Sequence, residues 1–170
     1  FNGFDDTLSA GYRAGTAQVF GELAYKVRSG PLAFEPFANF AYTSVHTDGF
    51  AETGGAAALT AAASNMDTTF VTLGLRAGGG FTLDGLKAAA YGTLGWRHVL
   101  GDTTPMSALT FAGGDTFEIA GTPIARDTAV VEAGFDLALG DRSKLGVGYS
   151  GYFGNGLNDN ALDAKLSLTF

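Results

Sequence analysis

The sequence predicts an all-β protein, a transmembrane antiparallel up-and-down β-barrel, with residues 1–170 forming one domain. Three observations lead to this class. Apolar and polar residues alternate with period two, charged residues make up only 16% of the chain, and the chain closes on an alternating segment that ends in Phe170. Alternation places successive side chains on opposite faces of a strand. A barrel whose outer face meets lipid needs few surface charges.

The alternation predicts where the strands lie. In the last segment Leu162, Ala164, Leu166, Leu168 and Phe170 share one parity, and the opposite parity is mostly polar or small. Many predicted strands have about ten residues, the length that a tilted strand needs to cross a bilayer. We predict about ten strands by this pattern, at residues 5–13, 17–27, 32–46, 55–63, 68–79, 86–99, 106–112, 127–139, 143–153 and 160–170.

The connections between these strands are expected to alternate in length. Short turns on one side and long loops on the other are typical of outer-membrane barrels, with the long loops outside the cell. We therefore expect Phe170 on the short-turn side, at the periplasmic interface. Short turns are predicted at 28–31, 64–67, 101–105 and 140–143, and mostly longer connections near 47–54, 80–85, 113–126 and 154–160.

Composition excludes several classes of function. A net charge of −7 argues against a nucleic-acid partner, and the absence of cysteine excludes disulfides and thiolate chemistry. No apolar run is long enough for a transmembrane helix. The chain opens at Phe1 without a methionine or a signal peptide, so we interpret it as a mature or excised fragment.

Parity alone leaves open which face meets lipid, because a soluble barrel would place its apolar face inside. The low charge favours a membrane barrel, and so do glycines on the polar parity, such as Gly74 and Gly134, which would leave a soluble surface bare. The third indication is a set of aromatic residues near strand ends, which fit interfacial girdles: Tyr25, Phe34, Trp96, Phe153 and Phe170.

In the membrane arrangement the polar parity faces the lumen. Charged residues of both signs are interspersed there. They either pair with one another and hold the barrel in shape, or line a hydrated pore and contact a threaded segment, and the two roles can coexist. The predicted pore-lining charges are Arg13, Glu22, Lys26, Glu35, Arg76, Lys87, Arg97, Glu132, Asp136 and Lys165.

Three apparent motifs carry no predicted chemistry. Residues 146–151 match GxGxxG, but they lie inside a predicted strand without the following helix that a dinucleotide site requires. The two histidines, His46 and His98, are far apart and have no cluster of ligands nearby, so no metal is expected. His98, Asp136 and Ser150 form a catalytic triad by residue type only. We predict no catalytic residue, no cofactor and no enzyme activity.

Several short segments occur in an order that is specific when taken together: 34–42 (FEPFANFAY), 48–55 (DGFAETGG), 73–76 (LGLR), 95–98 (GWRH), 117–123 (FEIAGTP), 133–135 (AGF) and 149–153 (YSGYF). In this order they resemble the C-terminal translocator domain of type V secretion autotransporters, and the resemblance covers nearly the whole chain. The alternating end, with Leu166, Leu168 and Phe170, is similar to the C-terminal signal that the barrel-assembly machinery reads.

The resemblance implies a bacterial outer-membrane barrel of twelve strands with a helix in its lumen. Its function would be to anchor a covalently linked passenger and help export it to the cell surface. The expected partners are outer-membrane lipid, the assembly machinery and the protein's own passenger. Only about ten strands are predicted here, so we expect a barrel that lacks its first strands and luminal helix, or an engineered shortened barrel.

Other functions remain open at this point. A generic outer-membrane pore or an adhesin barrel would show the same strand pattern. A small soluble ligand-binding barrel would instead have an apolar interior. An outer-membrane lipase or protease would need a catalytic constellation that the sequence does not offer.

Overall fold

A computed structural model of the protein describes residues 7–169 as an all-β structure. Within this range, no helix has the length and apolar character needed to cross a membrane. Twelve strands lie in the described range: β1 (Ala14–Ala24), β2 (Val27–Ser29), β3 (Leu32–Thr47), β4 (Phe50–Ala51), β5 (Leu59–Ala61), β6 (Ser64–Leu83), β7 (Leu86–Gly101), β8 (Met106–Phe111), β9 (Thr116–Ala120), β10 (Asp127–Ala138), β11 (Ser143–Gly154) and β12 (Leu157–Leu168).

The strands form two sheets. The larger follows the order β1-β3-β6-β7-β10-β11-β12, with the short β2 folded back on β3. Long strands that follow one another along the chain are therefore neighbours, which is the up-and-down topology that the sequence predicts. β1 and β12 lie at the two ends of this order, and no pairing joins them in the described part of the chain.

The described residues divide into two compact units. In the first, made of 7–19, 42–69 and 100–124, the connections between long strands form a second sheet in the order β4-β5-β8-β9. The row Phe50, Ala61, Leu109 and Phe117 crosses this sheet. The second unit, made of 20–41, 70–99 and 125–169, holds most of the large sheet and is the part that positions the candidate site.

The register of β7, β10, β11 and β12 sorts their side chains onto two faces. One face, which we call the outer face, carries apolar rows on neighbouring strands. Near one end, Trp96 lies level with Ala129 and Phe153. Three further rows follow: Gly92-Ala133-Tyr149-Leu162, Ala90-Phe135-Val147-Ala164 and Ala88-Leu137-Leu145-Leu166.

The opposite face, which we call the inner face, carries the polar parity. Its rows are Arg97-Thr128-Gly154-Leu157, Gly95-Val130-Tyr152-Asp159, Thr93-Glu132-Ser150-Ala161, Tyr91-Gly134-Gly148-Asp163 and Ala89-Asp136-Gly146-Lys165. Glu22, Glu35 and Arg76 belong to the same face, because their side chains bond to one another across β1, β3 and β6.

Burial shows which face is apolar and exposed. Leu94 and Leu162 on the outer face are 66% and 85% exposed, whereas Thr72 and Thr128 on the inner face are only 6% and 4% exposed. A soluble protein rarely exposes so continuous an apolar surface. The exposed apolar face is the arrangement that the low charge and the inner glycines predict.

The predicted strand count is wrong, because three of the predicted strands do not cross the large sheet. Residues 7–13 hold only an isolated bridge between Ser9 and Thr53 instead of a strand, and residues 5 and 6 lie outside the described range. The predicted strand 55–63 shrinks to β5. The segment 106–112 does form β8, but in the smaller sheet. Alternation over a few residues does not say which sheet a strand joins.

Three predicted connections are also wrong. Residues 64–67 are not a turn, since β6 begins at Ser64. The connection at 101–105 is short, as predicted, because β7 ends at Gly101 and β8 begins at Met106. Residues 80–85 and 154–160 are hairpins with two-residue turns, Asp84-Gly85 and Asn155-Gly156. Asp84 and Gly85 both have positive φ, as a type I′ turn requires. Asp-Gly and Asn-Gly are strong hairpin signals, so the sequence contained the information.

After these corrections, the connections at one end of the long strands are still shorter than most of those at the other end. The up-and-down order places 25–31, 84–85 and 139–142 at the end of the strands where Thr169 lies. Connections 48–63, 102–126 and 155–156 lie at the opposite end. Two of those three are much longer than any connection at the C-terminal end.

Candidate functional site: the charged inner face

Glycines provide the room for large side chains on the inner face. A Cβ at Gly74 would lie 2.6 Å from Cε1 and Cζ of Phe37, and a Cβ at Gly134 would collide with the ring of Tyr91. Each ring therefore occupies the space that a missing side chain leaves on the neighbouring strand. This close packing explains why glycine falls on the polar parity.

Arg76 is the centre of the ion-pair network on the first strands. Its two terminal nitrogens each lie 2.8 Å from a carboxylate oxygen of Glu22, which is the bidentate geometry that arginine favours. One of them also donates to Glu35 over 3.0 Å, and Lys26 lies 3.8 Å from the other oxygen of Glu35. The guanidinium stacks on Phe37, 4.0 Å from the ring centroid. Four predicted charges thus meet in one network.

Arg97 has a different environment, although it lies on the same face. Its Nε donates to Thr72 over a long 3.4 Å, and its guanidinium lies 5.5 Å from the ring centroid of Tyr152. No carboxylate forms an ion pair with Arg97 among residues 7–169. Glu132, on the neighbouring strand β10 and two inner rows away from Arg97, likewise has no ion-pair partner in that range.

One cavity of about 210 Å³ brings these groups together. Its walls come from β1, β3, β6, β7, β10 and β11, so the inner face of this unit is concave. Mostly polar side chains line it: Glu22, Phe37, Asn39, Thr72, Arg76, Thr93, Arg97, Val130, Glu132 and Tyr152.

The remaining predicted charges do not join the cavity. Asp136 pairs with Lys144 over 3.0 Å. Lys165 lies on the Asp136 row, and Lys87 is an exposed residue of β7. Arg13 belongs to the other unit, where its carbonyl accepts the backbone N–H of Asp48 over 2.9 Å.

The sequence prediction missed several inner-face residues, because it considered only charged residues on clearly alternating strands. Lys144 lies one residue before the apolar parity of β11 begins. Asp159 and Asp163 belong to inner rows, and Asp163 packs against the bare backbone of Gly148. Strand parity alone would have found these three. Tyr152 and Asn39 carry no charge, and only the register and the cavity identify them.

The rejected motifs can now be placed. Residues 146–151 lie within β11. His98 is bonded to Asp127 on the outer side, whereas Asp136 and Ser150 belong to inner rows, so no triad forms. His46 contacts Asn65 and Asp48 in the first unit. In residues 7–169 no group of three or more histidine and acidic side chains is arranged to hold a metal ion.

Two of the three residues of the predicted C-terminal signal lie on the outer face. Leu166 and Leu168 are 60% and 54% exposed and belong to the outer parity of β12. Phe170 lies outside the described residues.

Comparison with known proteins identifies the family. The family model "Autotransporter beta-domain" matches residues 1–150. Two proteins of Serratia marcescens, each named extracellular serine protease, are 36% identical to the chain over 166 residues. That match covers 97% of this chain but only 16% of either relative.

The chain belongs to the autotransporter β-domain family. It is a translocator domain of type V secretion, located in the outer membrane, and the family implies a linked passenger domain. The resemblance found in the ordered motifs and the all-β antiparallel class are both confirmed.

Proposed function

We propose that this chain anchors its passenger in the outer membrane and helps export it along the inner face, with no cofactor and no catalysis of its own. The observation that carries the proposal is the separation of the two faces. Apolar rows cover the outer face, whereas the inner face holds a polar cavity and most of the charges on the strands of the large sheet. The proteolysis in the relatives' names is a property of those much longer proteins.

The outer face suits contact with membrane lipid. From Leu86 to Trp96 the strand β7 rises about 34 Å, which a tilt of about 40° reduces to roughly 26 Å, close to the apolar band of outer-membrane barrels. Backbone groups at the edges of β1 and β12 cannot remain unpaired in hydrocarbon. We therefore infer that these edges pair in the membrane, with each other or with further strands of the protein.

The connection lengths support an orientation with the C-terminus in the periplasm and 48–63 and 102–126 outside the cell. The chain has no cysteine, so single cysteines are clean reporters. Asp115→Cys, in the long connection, should react with a membrane-impermeant maleimide on intact cells. Asp141→Cys, in the short connection 139–142, should react only after the membrane is opened. The reverse pattern would exclude this orientation.

For Leu166, Leu168 and Phe170 we propose the role of a signal for the barrel-assembly machinery. Support comes from the outward row that Leu166 and Leu168 form on the last strand. The paired variant Leu166→Asn and Leu168→Asn, and separately removal of Phe170, should reduce the amount of protein inserted in the outer membrane. Leu157→Asn is the matched control, since Leu157 belongs to the same strand but to an inner row.

Seven of the ten predicted charges are proposed to divide between two roles. The pairs around Arg76 and the Asp136–Lys144 pair hold the sheet in shape, because their charges already satisfy one another. Arg97 and Glu132 are available to polar groups of a segment that passes along the inner face. This division follows from the partners that each group has within residues 7–169.

Export is tested with the intact protein, its passenger carrying an epitope, in a Gram-negative host. We expect the passenger on the cell surface when the barrel is present and retained when its insertion fails. If the fully inserted protein conducts ions but exports no passenger, the result would instead support a simple pore.

A further inference from the structure

A hydrogen-bonded cluster lies on the outer side of the sheet, separate from the inner cavity. Asp127, the first residue of β10, accepts two hydrogen bonds on the same oxygen, Oδ1. Nε1 of Trp96 donates one over 3.0 Å, and Nδ1 of His98 lies 2.7 Å away as the second donor. The indole and imidazole rings are 5.4 Å apart at 33°. Three side chains from two neighbouring strands are thus held as one unit.

The cluster lies where the apolar band ends. Asp127 and His98 face each other in register, and the next row inward along the strands is Trp96 beside Ala129. Beyond that row come Leu94 and Val131. On β7 and β10 the outer face therefore changes from apolar to polar within one row, at the end of the strands that carries the long connections. On β12 the change comes earlier, at Asn160. This continuity with the lipid-facing rows places the cluster at the level of lipid headgroups.

The groups of the cluster that remain available define its chemistry. Among residues 7–169, Nε2 of His98 and Oδ2 of Asp127 have no hydrogen-bond partner. Trp96 is 48% exposed, and the side chain of Asp127 is 57% exposed. Because Nδ1 of His98 donates to Asp127, the neutral imidazole presents Nε2 as an acceptor. The cluster therefore offers two hydrogen-bond acceptors, Nε2 of His98 and Oδ2 of Asp127, beside an aromatic surface. Sugars, with hydroxyls that donate and accept beside a ring face of C–H groups, match this combination.

A bare phosphate matches less well, because the carboxylate of Asp127 would repel it. Sugar hydroxyls can donate to both Oδ2 of Asp127 and Nε2 of His98 while the sugar ring packs on Trp96. We propose that Trp96, His98 and Asp127 bind the sugar headgroup of a glycolipid in the outer leaflet of the membrane. This inference rests on the proposed orientation, in which the long connections face outward.

Trp96 makes the proposal directly measurable, since it is the only tryptophan of the chain. The full chain is inserted in phosphatidylcholine vesicles, and increasing amounts of a purified outer-membrane glycolipid are included. We expect the Trp96 fluorescence to change saturably with glycolipid content. Vesicles with an equal charge of phosphatidylglycerol, which carries phosphate but no sugar ring, should not produce this change.

Two variants identify the groups responsible. Asp127→Asn and His98→Phe each remove part of the cluster and keep Trp96 as the reporter, and we expect each to weaken the apparent affinity about fivefold to tenfold, as the loss of one or two hydrogen bonds implies. Tyr149→Phe is the matched control. It removes an outer-face hydroxyl that donates to Asn160 over 2.6 Å, away from the cluster, and should leave the affinity unchanged.

The outcomes separate this inference from the proposed function. Fluorescence of Trp96 in plain vesicles first establishes insertion, and failure to insert would contradict both proposals. Insertion without a glycolipid effect would overturn the headgroup site alone and leave the translocator function intact. An equal response to phosphatidylglycerol would also overturn it, in favour of a general phosphate contact. Equal weakening by Tyr149→Phe would overturn the assignment to these three residues.

Discussion

Arg76 and Arg97 project from the same inner face, yet their surroundings differ in a way that separates two kinds of charge. Arg76 has two carboxylate partners within 3.0 Å and a ring beneath it, so its charge is neutralised where it lies. Arg97 has a ring and one long hydrogen bond to a hydroxyl. A paired charge mainly maintains structure, whereas an unpaired one remains available to a ligand. The comparison predicts stability effects at Arg76 and transport effects at Arg97.

The largest expected effect comes from the glycine beneath the Arg76 stack. In Gly74→Val, the added side chain would displace Phe37 and meet the carbonyl of Leu94, 2.8 Å from a Cβ there. Overpacking of this kind costs about 1–3 kcal/mol, and the displaced ring also removes the surface on which Arg76 rests. We expect a marked fall in the free energy of unfolding, measured by urea titration of the membrane-inserted protein.

Gly95→Ala is the matched control for that variant. Gly95 lies on the inner face close to Arg97, but the nearest atom to a Cβ there is the carbonyl oxygen of Leu73, at 3.4 Å. The methyl group fits, so stability should change little. Similar losses from Gly74→Val and Gly95→Ala would show that any inner-face substitution perturbs the sheet, and the Arg76 stack would then have no special role.

The second prediction removes the arginine itself. Arg76→Met leaves Glu22 and Glu35 facing each other without a cation, and we expect unfolding to become easier by about 1–2 kcal/mol, a value reduced because these side chains are about a third exposed. Adding Glu22→Gln should recover part of the loss, since it removes one of the repelling charges. Urea unfolding of both variants tests this, and no recovery in the double variant would contradict the ion-pair explanation.

The third prediction concerns transport. Arg97→Glu should leave the free energy of unfolding within about 0.5 kcal/mol, since no ion pair is lost within residues 7–169. The rate at which the epitope-tagged passenger reaches the surface should fall severalfold. Arg97→Lys, which keeps the charge, should export at a rate nearer to the original. A large loss of stability in Arg97→Glu would place Arg97 with the structural charges.

These two arginines also show how far sequence reasoning reaches. Parity alone assigned Arg76, Arg97, Glu22 and Glu132 to one face, because side-chain direction in a strand depends only on odd or even position. Their ion-pair partners cannot be predicted from the sequence. The pairing of Glu22 with Arg76 depends on β1, β3 and β6 being neighbours and on the curvature of the sheet. The missed hairpin at Asp84 is different. There residues 80–85 are predicted as a longer connection, although the Asp-Gly signal for a two-residue turn is present in the sequence.

The smallest expected effect is at the pair between Lys144 and Asp136. Their nitrogen and oxygen lie 3.0 Å apart, but 58% of the lysine side chain is exposed, so water and salt screen the attraction. Lys144→Met should therefore lower the free energy of unfolding by no more than about 0.5 kcal/mol, and this small loss should disappear at high salt. Urea titrations of both proteins at low and high salt measure it. A loss as large as that of Arg76→Met would mean that solvent exposure does not determine the strength of these ion pairs. The difference between Arg76 and the other inner-face charges would then depend on the stacking of its guanidinium on Phe37.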